Sequence, residues 1–282
     1  MTRMSIVIPA HDEGPLVRIG LERMLADADP GEFEVVVVAN GCTDDTADQA
    51  RRVDGVTVVE IGRASKILAL NAGDAAARAF PRAYIDGDVS ISTATLRALA
   101  TALDETTAPR AAAPRLRVDT ARASRPVRAY YRVWAVSDYR SDGHVGSGVY
   151  AVNAAGRARW DAFPDVIADD RFVQQRFEPA ERRSLDGEEF VVAASKDMRT
   201  HIRRGVRIER GNRELPSAAQ LAAHEPARRR YARLLGRVAV RPALWLCLPF
   251  YIYGFAAAKI GARGGSAVTW SRDDSLRETV RA

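Results

Sequence analysis

The sequence has few cysteines, histidines and lysines. It contains two cysteines and four histidines in 282 residues, and only three of its 42 basic residues are lysine. Cys42 and Cys247 are far apart, so they form neither a cysteine-based metal motif nor a disulfide framework. We therefore expect a chain that works in a reducing, cytosolic compartment.

Long apolar runs are also scarce. The chain begins with a strand-like run at residues 4–9 and shows no apolar stretch of the kind found in a signal peptide. Residues 242–258 contain no charged side chain, but this length is at the short limit for a membrane span and Pro249 interrupts it. A transmembrane helix is therefore disfavoured.

The same stretch follows an arginine-rich segment, which includes Arg228, Arg229 and Arg230. Basic residues beside an apolar, aromatic-rich segment favour attachment to an anionic bilayer. This predicts a location at the inner face of the cell membrane. A buried C-terminal helix and a dimer contact remain open as alternatives.

The net charge is +6 and the isoelectric point is about 9.6. Such a balance favours anionic partners, although a GC-rich genome would explain the arginines equally well. The arginines do not alternate with aromatic residues at strand spacing, so we expect no nucleic-acid partner.

The first half of the chain alternates strand and helix patterns, which predicts βαβ units and a parallel sheet. A Thr43 cap is expected to start the second helix. The predicted strands are residues 5–9, 33–38, 56–61 and 83–86, and the predicted helices are residues 14–28, 43–52 and 65–79.

The second half is less regular. It predicts a helix over residues 93–103, a strand over 111–118, an aromatic amphipathic segment over 126–139 and a glycine-rich turn at 146–148 that enters another strand. The expected domains are residues 1–225, with a nucleotide-sugar half to about 105 and an acceptor half from 106, and a basic, apolar tail over 226–282.

Two carboxylates, Asp86 and Asp88, follow the fourth predicted strand. Ligands of open parallel sheets bind at the carboxyl ends of strands, and carboxylates two residues apart can hold a hard divalent cation against a diphosphate. The pattern alone is weak, because Asp27 and Asp29 repeat it at a predicted helix end. A solvated acidic turn is the alternative.

The first two strands end in polar segments at the same predicted edge, residues 9–13 and 39–46. These ends suit a nucleotide, although each is also explained by turn and capping chemistry. Lys66, at the start of the third helix, can place a cation beside the expected diphosphate, or can be an ordinary solvated lysine of a helix.

Two further groups are candidates. The pair Asp169 and Asp170 can supply a general base for an acceptor hydroxyl. Alternatively, the two carboxylates can simply cap a helix N-terminus and compensate its positive dipole charge. His201, Arg203 and Arg204 belong to a basic cluster that can steady a leaving diphosphate or form a plain surface face.

These motifs, in this order, resemble the inverting family 2 glycosyltransferases of GT-A fold. The resemblance covers roughly residues 4–215. It rests on residues 6–13, 38–46, 65–73, the Asp86-Gly87-Asp88 triplet, Gly146-Ser147-Gly148 and the Asp169-Asp170 pair.

The resemblance implies a GT-A, Rossmann-like, mostly parallel sheet flanked by helices. The charge-free run at residues 242–258 adds the expectation of a C-terminal helical, apolar tail. It also implies roles for individual residues. These are nucleoside contacts from Pro9, Ala10, Glu13 and Asn40, diphosphate and metal contacts from Lys66, Asp86 and Asp88, an acceptor side at Gly146, Ser147 and Gly148, and Asp170 as the base.

There are departures from the family pattern. Asn40 stands where many relatives carry Asp, so a UDP-sugar is favoured but a GDP-sugar stays open. Asp169 replaces the usual Glu. The Gln-x-x-Arg-Trp motif of processive synthases is missing, which favours a single transfer.

The predicted reaction is therefore an inverting, Mg²⁺- or Mn²⁺-dependent sugar transfer to a glycan, lipid-linked or small-molecule acceptor hydroxyl. The alternative is a nucleotidyltransferase or a non-catalytic nucleotide-binding protein on the same sheet. A nucleotidyltransferase is expected to carry a glycine-rich basic loop after the first strand, and residues 9–13 do not form one.

Overall fold

The structure is a computed structural model that describes residues 2–138, 144–166, 168–215 and 227–264. The described residues divide into two compact units. The first is built from Met1–Arg117 and Gly143–Val192, and the second from Val118–Asp142 and Ala193–Ala282.

A seven-stranded sheet forms the framework of the first unit. Its strands are β1 (Met4–Ala10), β2 (Phe33–Asn40), β3 (Val56–Ile61), β4 (Arg82–Ile85), β5 (Ala111–Asp119), β6 (Val149–Val152) and β7 (Arg182–Ala193), in the spatial order β3-β2-β1-β4-β6-β5-β7. The first four strands are parallel, whereas β6 runs antiparallel to β4 and β5. This is the expected GT-A, Rossmann-like α/β fold.

Strand β1 is buried along its whole length because helices cover the sheet on both sides. Met4, Ile6 and Ile8 join a core that includes residues of the helices α1 (Pro15–Met24) and α4 (Thr93–Asp104). Successive side chains of a strand point to opposite faces, and Val7 accordingly lies against the helix α3 (Lys66–Ala76). The continuous apolar run of the sequence reflects this double burial.

One predicted cap is wrong. The helix α2 (Thr46–Arg51) follows Asp45, three residues after the expected start at Thr43. Thr43 instead donates its backbone N–H to Asp12 Oδ1 at 2.6 Å, because the end of β1 offers it a carboxylate. Thr43 therefore joins the ends of two strands rather than starting a helix.

Short helices complete the first unit. α6 (Ala154–Arg157) follows β6, and α7 (Asp169–Gln174) begins at the acidic pair. The helix predicted over residues 65–79 is the eleven-residue α3, whose N-cap Ser65 accepts a hydrogen bond from Leu68 N.

The second unit is helical. It contains α5 (Arg125–Trp134), α8 (Met198–Glu214), α9 (Ala227–Ala239) and α10 (Leu248–Gly261). One apolar cluster joins Val133, Leu234, Val238 and Cys247. The predicted domain boundary at 225 and the last part of the predicted tail, residues 265–282, lie outside the described residues.

The apolar stretch at 242–258 forms a 3₁₀ turn (Pro242–Leu244) and then most of α10. Pro249 lies in the first turn of α10, where its missing N–H costs nothing, so it opens the helix and does not interrupt it. Across the described segments of the chain, no helix is both long and apolar enough to cross a bilayer.

Many large apolar side chains of this second unit are nevertheless exposed. Leu246 is 86% exposed and Val240 is 75% exposed. We call the exposed set between residues 235 and 260 the apolar surface: Leu235, Val240, Trp245, Leu246, Phe250, Ile252, Tyr253 and Ile260.

Candidate active site

Lys66 lies at the centre of a charged cluster in the first unit. Its Nζ is 2.6 Å from Asp86 Oδ1 and 2.8 Å from Asp169 Oδ1. Burial alone would lower the pKa of Lys66, but the attraction of Asp169 and Asp86 outweighs burial and raises that pKa above its ordinary value. Lys66 is therefore a permanent cation that joins the end of β4 to the start of α7.

Asp169 is fully engaged. Its side chain is 3% exposed, one oxygen meets Lys66, and the other accepts a hydrogen bond from the Tyr150 hydroxyl at 3.0 Å. Burial raises the pKa of Asp169 to about 6, even though Lys66 acts in the opposite direction. A carboxylate held at both oxygens is suited to fixing its neighbours in place.

Asp170 is only partly buried and meets backbone donors. Its Oδ2 accepts the Ser147 N–H at 2.8 Å, and its Oδ1 accepts the Arg171 N–H at 2.7 Å. His144 Nε2 is 2.9 Å from the Ser147 hydroxyl, and burial lowers the pKa of this histidine. The neutral imidazole thus supports the same loop that holds Asp170.

The glycines of this loop allow a close approach. Gly146 has φ +130°, and a Cβ there would lie 2.8 Å from the Cβ of Asp170. Gly148 has φ +105°, and a Cβ there would lie 3.4 Å from Asp86 Oδ2. The loop therefore brings the strand-end aspartate and the α7 aspartate to the same backbone segment, at conformations that favour glycine.

The turn after β4 lies against the end of β1. A Cβ on Gly87 would be 3.4 Å from Glu13 Cγ and 3.5 Å from the Pro9 carbonyl oxygen. Asp88 is exposed, and Ala10 at the strand end is buried. Two of the strand ends predicted to hold a nucleotide are thus adjacent.

Asn40 forms hydrogen bonds at the end of the sheet, to Ala10 and Ser65, and we call this pair of contacts the clasp. Its side chain is buried, its Nδ2 donates to the Ala10 carbonyl at 2.7 Å, and its Oδ1 accepts the Ser65 N–H at 3.0 Å. His11 Nδ1 is 2.6 Å from the Asn40 carbonyl oxygen. An ionised aspartate has no donor for Ala10, so the amide is the residue that fits this position. Its predicted contact with the nucleoside stays a prediction.

The residues present fit a hard divalent cation. Asp86 and Asp88 supply carboxylate oxygens at an accessible turn, and such a cation takes its other ligands from phosphate and water. Among the described residues, the only group of three or more His, Cys, Asp and Glu with ligand atoms within 4.8 Å of one another is His11, Asp12 and Cys42. Within the described residues, Asp86 and Asp88 therefore belong to no such group of three.

The predicted basic residues lie on α8 in the second unit. The His201 ring is buried, with ring centroids 4.1 Å from Tyr130 and 5.3 Å from Tyr131. Burial and the nearby Arg204 lower the pKa of His201 to about 4. Arg203 is exposed. The imidazole is thus a neutral member of an aromatic cluster.

Sequence reasoning missed Tyr150 and Asp74. Tyr150 pairs with Tyr84 across β4 and β6, and the two rings stack at 5.0 Å. Asp74 lies 2.6 Å from both Arg82 and Arg157. A tyrosine inside a short apolar strand was a usable signal, because a buried hydroxyl requires a partner.

The strand order and the helices that flank the sheet are those of a GT-A fold. The Glycosyl transferase family 2 profile matches residues 5–162, more than half of the chain. The chain belongs to this family.

Solved structures are similar to the chain. A mannosyltransferase from Pyrobaculum calidifontis, in complex with GDP-Man and Mn²⁺, has 24% identity and a TM-score of 0.61 over 94% of this chain and 76% of its own. TarS 1–349 from S. aureus has 15% identity and a TM-score of 0.48, covering 98% of this chain and 95% of its own.

A third structure is the glucosyl-3-phosphoglycerate synthase from Mycobacterium tuberculosis with Mn²⁺ and UDP. It has 16% identity and a TM-score of 0.48, over 86% of this chain and 79% of its own. No curated protein sequence matches the chain significantly.

Proposed function

We propose that this glycosyltransferase moves one sugar from a nucleoside-diphosphate donor to an acceptor hydroxyl, with inversion and with the help of a divalent cation. The observation that carries the proposal is the Lys66 bridge. It joins Asp86, the first carboxylate of the strand-end turn, to Asp169 of the acidic pair.

The donor is expected at the ends of β1, β2 and β4. Pro9, Ala10, Glu13 and Asn40 surround the nucleoside, while Lys66 and Asp86 face the diphosphate. UDP is the favoured nucleotide, and GDP stays open, since the P. calidifontis mannosyltransferase is a complex with GDP-Man.

Asp86 and Asp88 would hold Mg²⁺ or Mn²⁺. When bound, this cation would supply Lewis-acid stabilisation of the departing diphosphate. The cation in the P. calidifontis complex is Mn²⁺.

Asp170 is the better base of the pair. Asp169 is buried, and both of its oxygens meet side-chain donors, whereas Asp170 is partly exposed and held by backbone N–H groups. Asp170 would remove the acceptor proton while the hydroxyl oxygen attacks the anomeric carbon. The bond to the diphosphate breaks on the opposite side, so the configuration inverts.

The test is a screen of the purified protein against UDP- and GDP-sugars with mixed hydroxyl acceptors. We expect release of nucleoside diphosphate, loss of turnover in EDTA, and recovery with Mg²⁺ or Mn²⁺. Nucleotide binding without sugar transfer would favour a non-catalytic protein, and release of sugar 1-phosphate would favour a nucleotidyltransferase. Full turnover by Asp88→Ala in chelator would contradict the metal site.

The apolar surface supports a second proposal, on location. Arg228, Arg229 and Arg230 of α9 and Arg241 are exposed, and the apolar surface includes residues of α9 and α10 and of the turn between them. This combination suits a segment that lies in the interface of an anionic bilayer. We therefore expect the enzyme at the inner membrane face, where lipid-linked acceptors are found.

Co-sedimentation of the full chain with vesicles tests the location. We expect binding to vesicles with anionic phosphatidylserine or phosphatidylglycerol, and much less binding to phosphatidylcholine alone. High salt should weaken the binding. Equal recovery in the supernatant with both kinds of vesicle would mean that another partner covers the apolar surface.

A further inference from the structure

We propose that Lys66 competes with the divalent cation for Asp86, so that the cation binds together with the nucleoside diphosphate rather than before it. This inference rests on the proposed donor site, and it adds an order of binding that the site alone does not imply.

The first step of the argument is the contact itself. The ammonium nitrogen of Lys66 is 2.6 Å from Asp86 Oδ1. A Mg²⁺ ion binds a carboxylate oxygen at about 2.1 Å, so an ion on the same oxygen would lie only about 4 Å from the ammonium. Two positive charges at that distance repel each other strongly, which weakens binding of the bare ion.

The second step is that Lys66 is held where it is. Its Nζ also meets Asp169 at 2.8 Å, and the other oxygen of Asp169 accepts the Tyr150 hydroxyl. Moving the lysine away would leave Asp169, only 3% exposed, as a buried charge without its cation. The incoming ion therefore cannot simply displace Lys66 into solvent.

The third step is the charge that the donor brings. A nucleoside diphosphate carries negative charge that offsets both the ion and the ammonium. Lys66 can then release Asp86 and turn toward a diphosphate oxygen while keeping its contact with Asp169. A compact ammonium on a flexible stem suits such an exchange of partners better than a planar guanidinium.

The experiment measures Mn²⁺ binding from the loss of the free-ion EPR signal, with and without UDP or GDP. Compared with the wild type, Lys66→Met should bind Mn²⁺ alone about tenfold more tightly or better, because the repelling charge is gone. The increase in Mn²⁺ affinity that the nucleotide causes should be smaller in Lys66→Met than in the wild type.

Two other variants keep the comparison sound. Lys66→Met/Asp169→Asn removes the buried charge that the single variant leaves unpaired, so it provides the same test if Lys66→Met does not fold. Lys259→Met removes a lysine of α10 whose Nζ meets Tyr231 and should bind Mn²⁺ as the wild type does.

The outcomes separate this inference from the proposed function. If the wild type binds Mn²⁺ with nucleotide but neither Lys66 variant binds the bare ion more tightly, the competition is wrong and the donor site stands. If the wild type binds no Mn²⁺ even with UDP or GDP, the donor site itself is wrong, and the inference fails with it.

Discussion

In the first unit charged side chains are buried in matched groups, whereas in the second unit apolar side chains are left exposed. Lys66 and Asp169 are paired in the interior of the first unit, and Asp74 is enclosed by Arg82 and Arg157. In the second unit Leu246 is 86% exposed. The first unit thus buries charged side chains, and the second unit exposes apolar ones.

The difference agrees with the roles that we propose for the two regions. Buried, hydrogen-bonded charges are costly to assemble and hold their partners in one geometry, which suits a site that must position a reacting group. Exposed apolar side chains are unfavourable in water and suit an apolar phase. Each of the following predictions tests one side of this contrast.

The largest expected effect concerns the acidic pair. Asp170→Asn keeps the shape of the side chain and removes its basicity, so sugar transfer should slow by about 10²–10⁴-fold. Calorimetry with the nucleoside diphosphate and metal should give near-wild-type affinity. Asp169→Asn removes one charge from a contact that positions its neighbours, so it should slow sugar transfer less than Asp170→Asn does. If Asp169→Asn were inactive and Asp170→Asn active, the base would move by one residue.

The next effect concerns the apolar surface. Leu246→Glu removes an exposed leucine and adds a charge that anionic lipid repels. Binding to anionic vesicles should fall by roughly tenfold or more, since burial of a leucine is worth about 1.5–3 kcal/mol. Ile19→Glu on α1, at 40% exposure, is the matched control in the first unit and should leave co-sedimentation unchanged.

A smaller effect concerns acid stability. His201 has a pKa of about 4 in the folded chain and about 6.5 when unfolded, so the unfolded state binds more protons between these values. Stability is therefore complete above pH 6.5 and is lost as pH falls toward 4. Denaturation should show a free energy of unfolding about 2 kcal/mol lower at pH 5 than at pH 7.

His201→Phe is the control for that measurement. It fills the same aromatic cluster without a titrating group, so its unfolding free energy should depend less on pH. An equal pH dependence in the two proteins would assign the effect to other groups.

The smallest expected effect concerns Tyr150. Tyr150→Phe removes the hydroxyl that donates to Asp169 and leaves the ring stacked on Tyr84. We expect a loss of about 1 kcal/mol in urea denaturation and less than a tenfold change in transfer. A loss as large as that of Asp170→Asn would make the hydroxyl part of the reaction.

Much of the first unit could be predicted from the sequence. Continuous apolar runs mark β1 and β2 because both faces of these strands are buried, and the parallel arrangement follows from the helices between them. The sequence also indicated that the ends of β1 and β4 are at one edge. These features depend on short segments with strong patterns.

Other features depend on strand order, which local patterns do not reveal. β6 lies between β4 and β5 and runs antiparallel to both, and this placement puts Tyr150 beside Tyr84. The contact between Lys66 and Asp169 likewise joins distant segments. Thr43 was misplaced because a tertiary partner, Asp12, outcompeted its local capping role.

The clasp made by Asn40 also affects the spontaneous deamidation of this residue. Asn40 is followed by Gly41, a pair prone to deamidation, in which the glycine nitrogen attacks the side-chain amide. In the folded chain that nitrogen donates to the Ile61 carbonyl at 2.7 Å, and the amide itself is held by Ala10 and Ser65. We expect mass spectrometry to find deamidated Asn40 only in samples that were heated enough to open the end of β2. Such a change would be hard to reverse, because the new carboxylate cannot donate to Ala10 and the clasp would not close again.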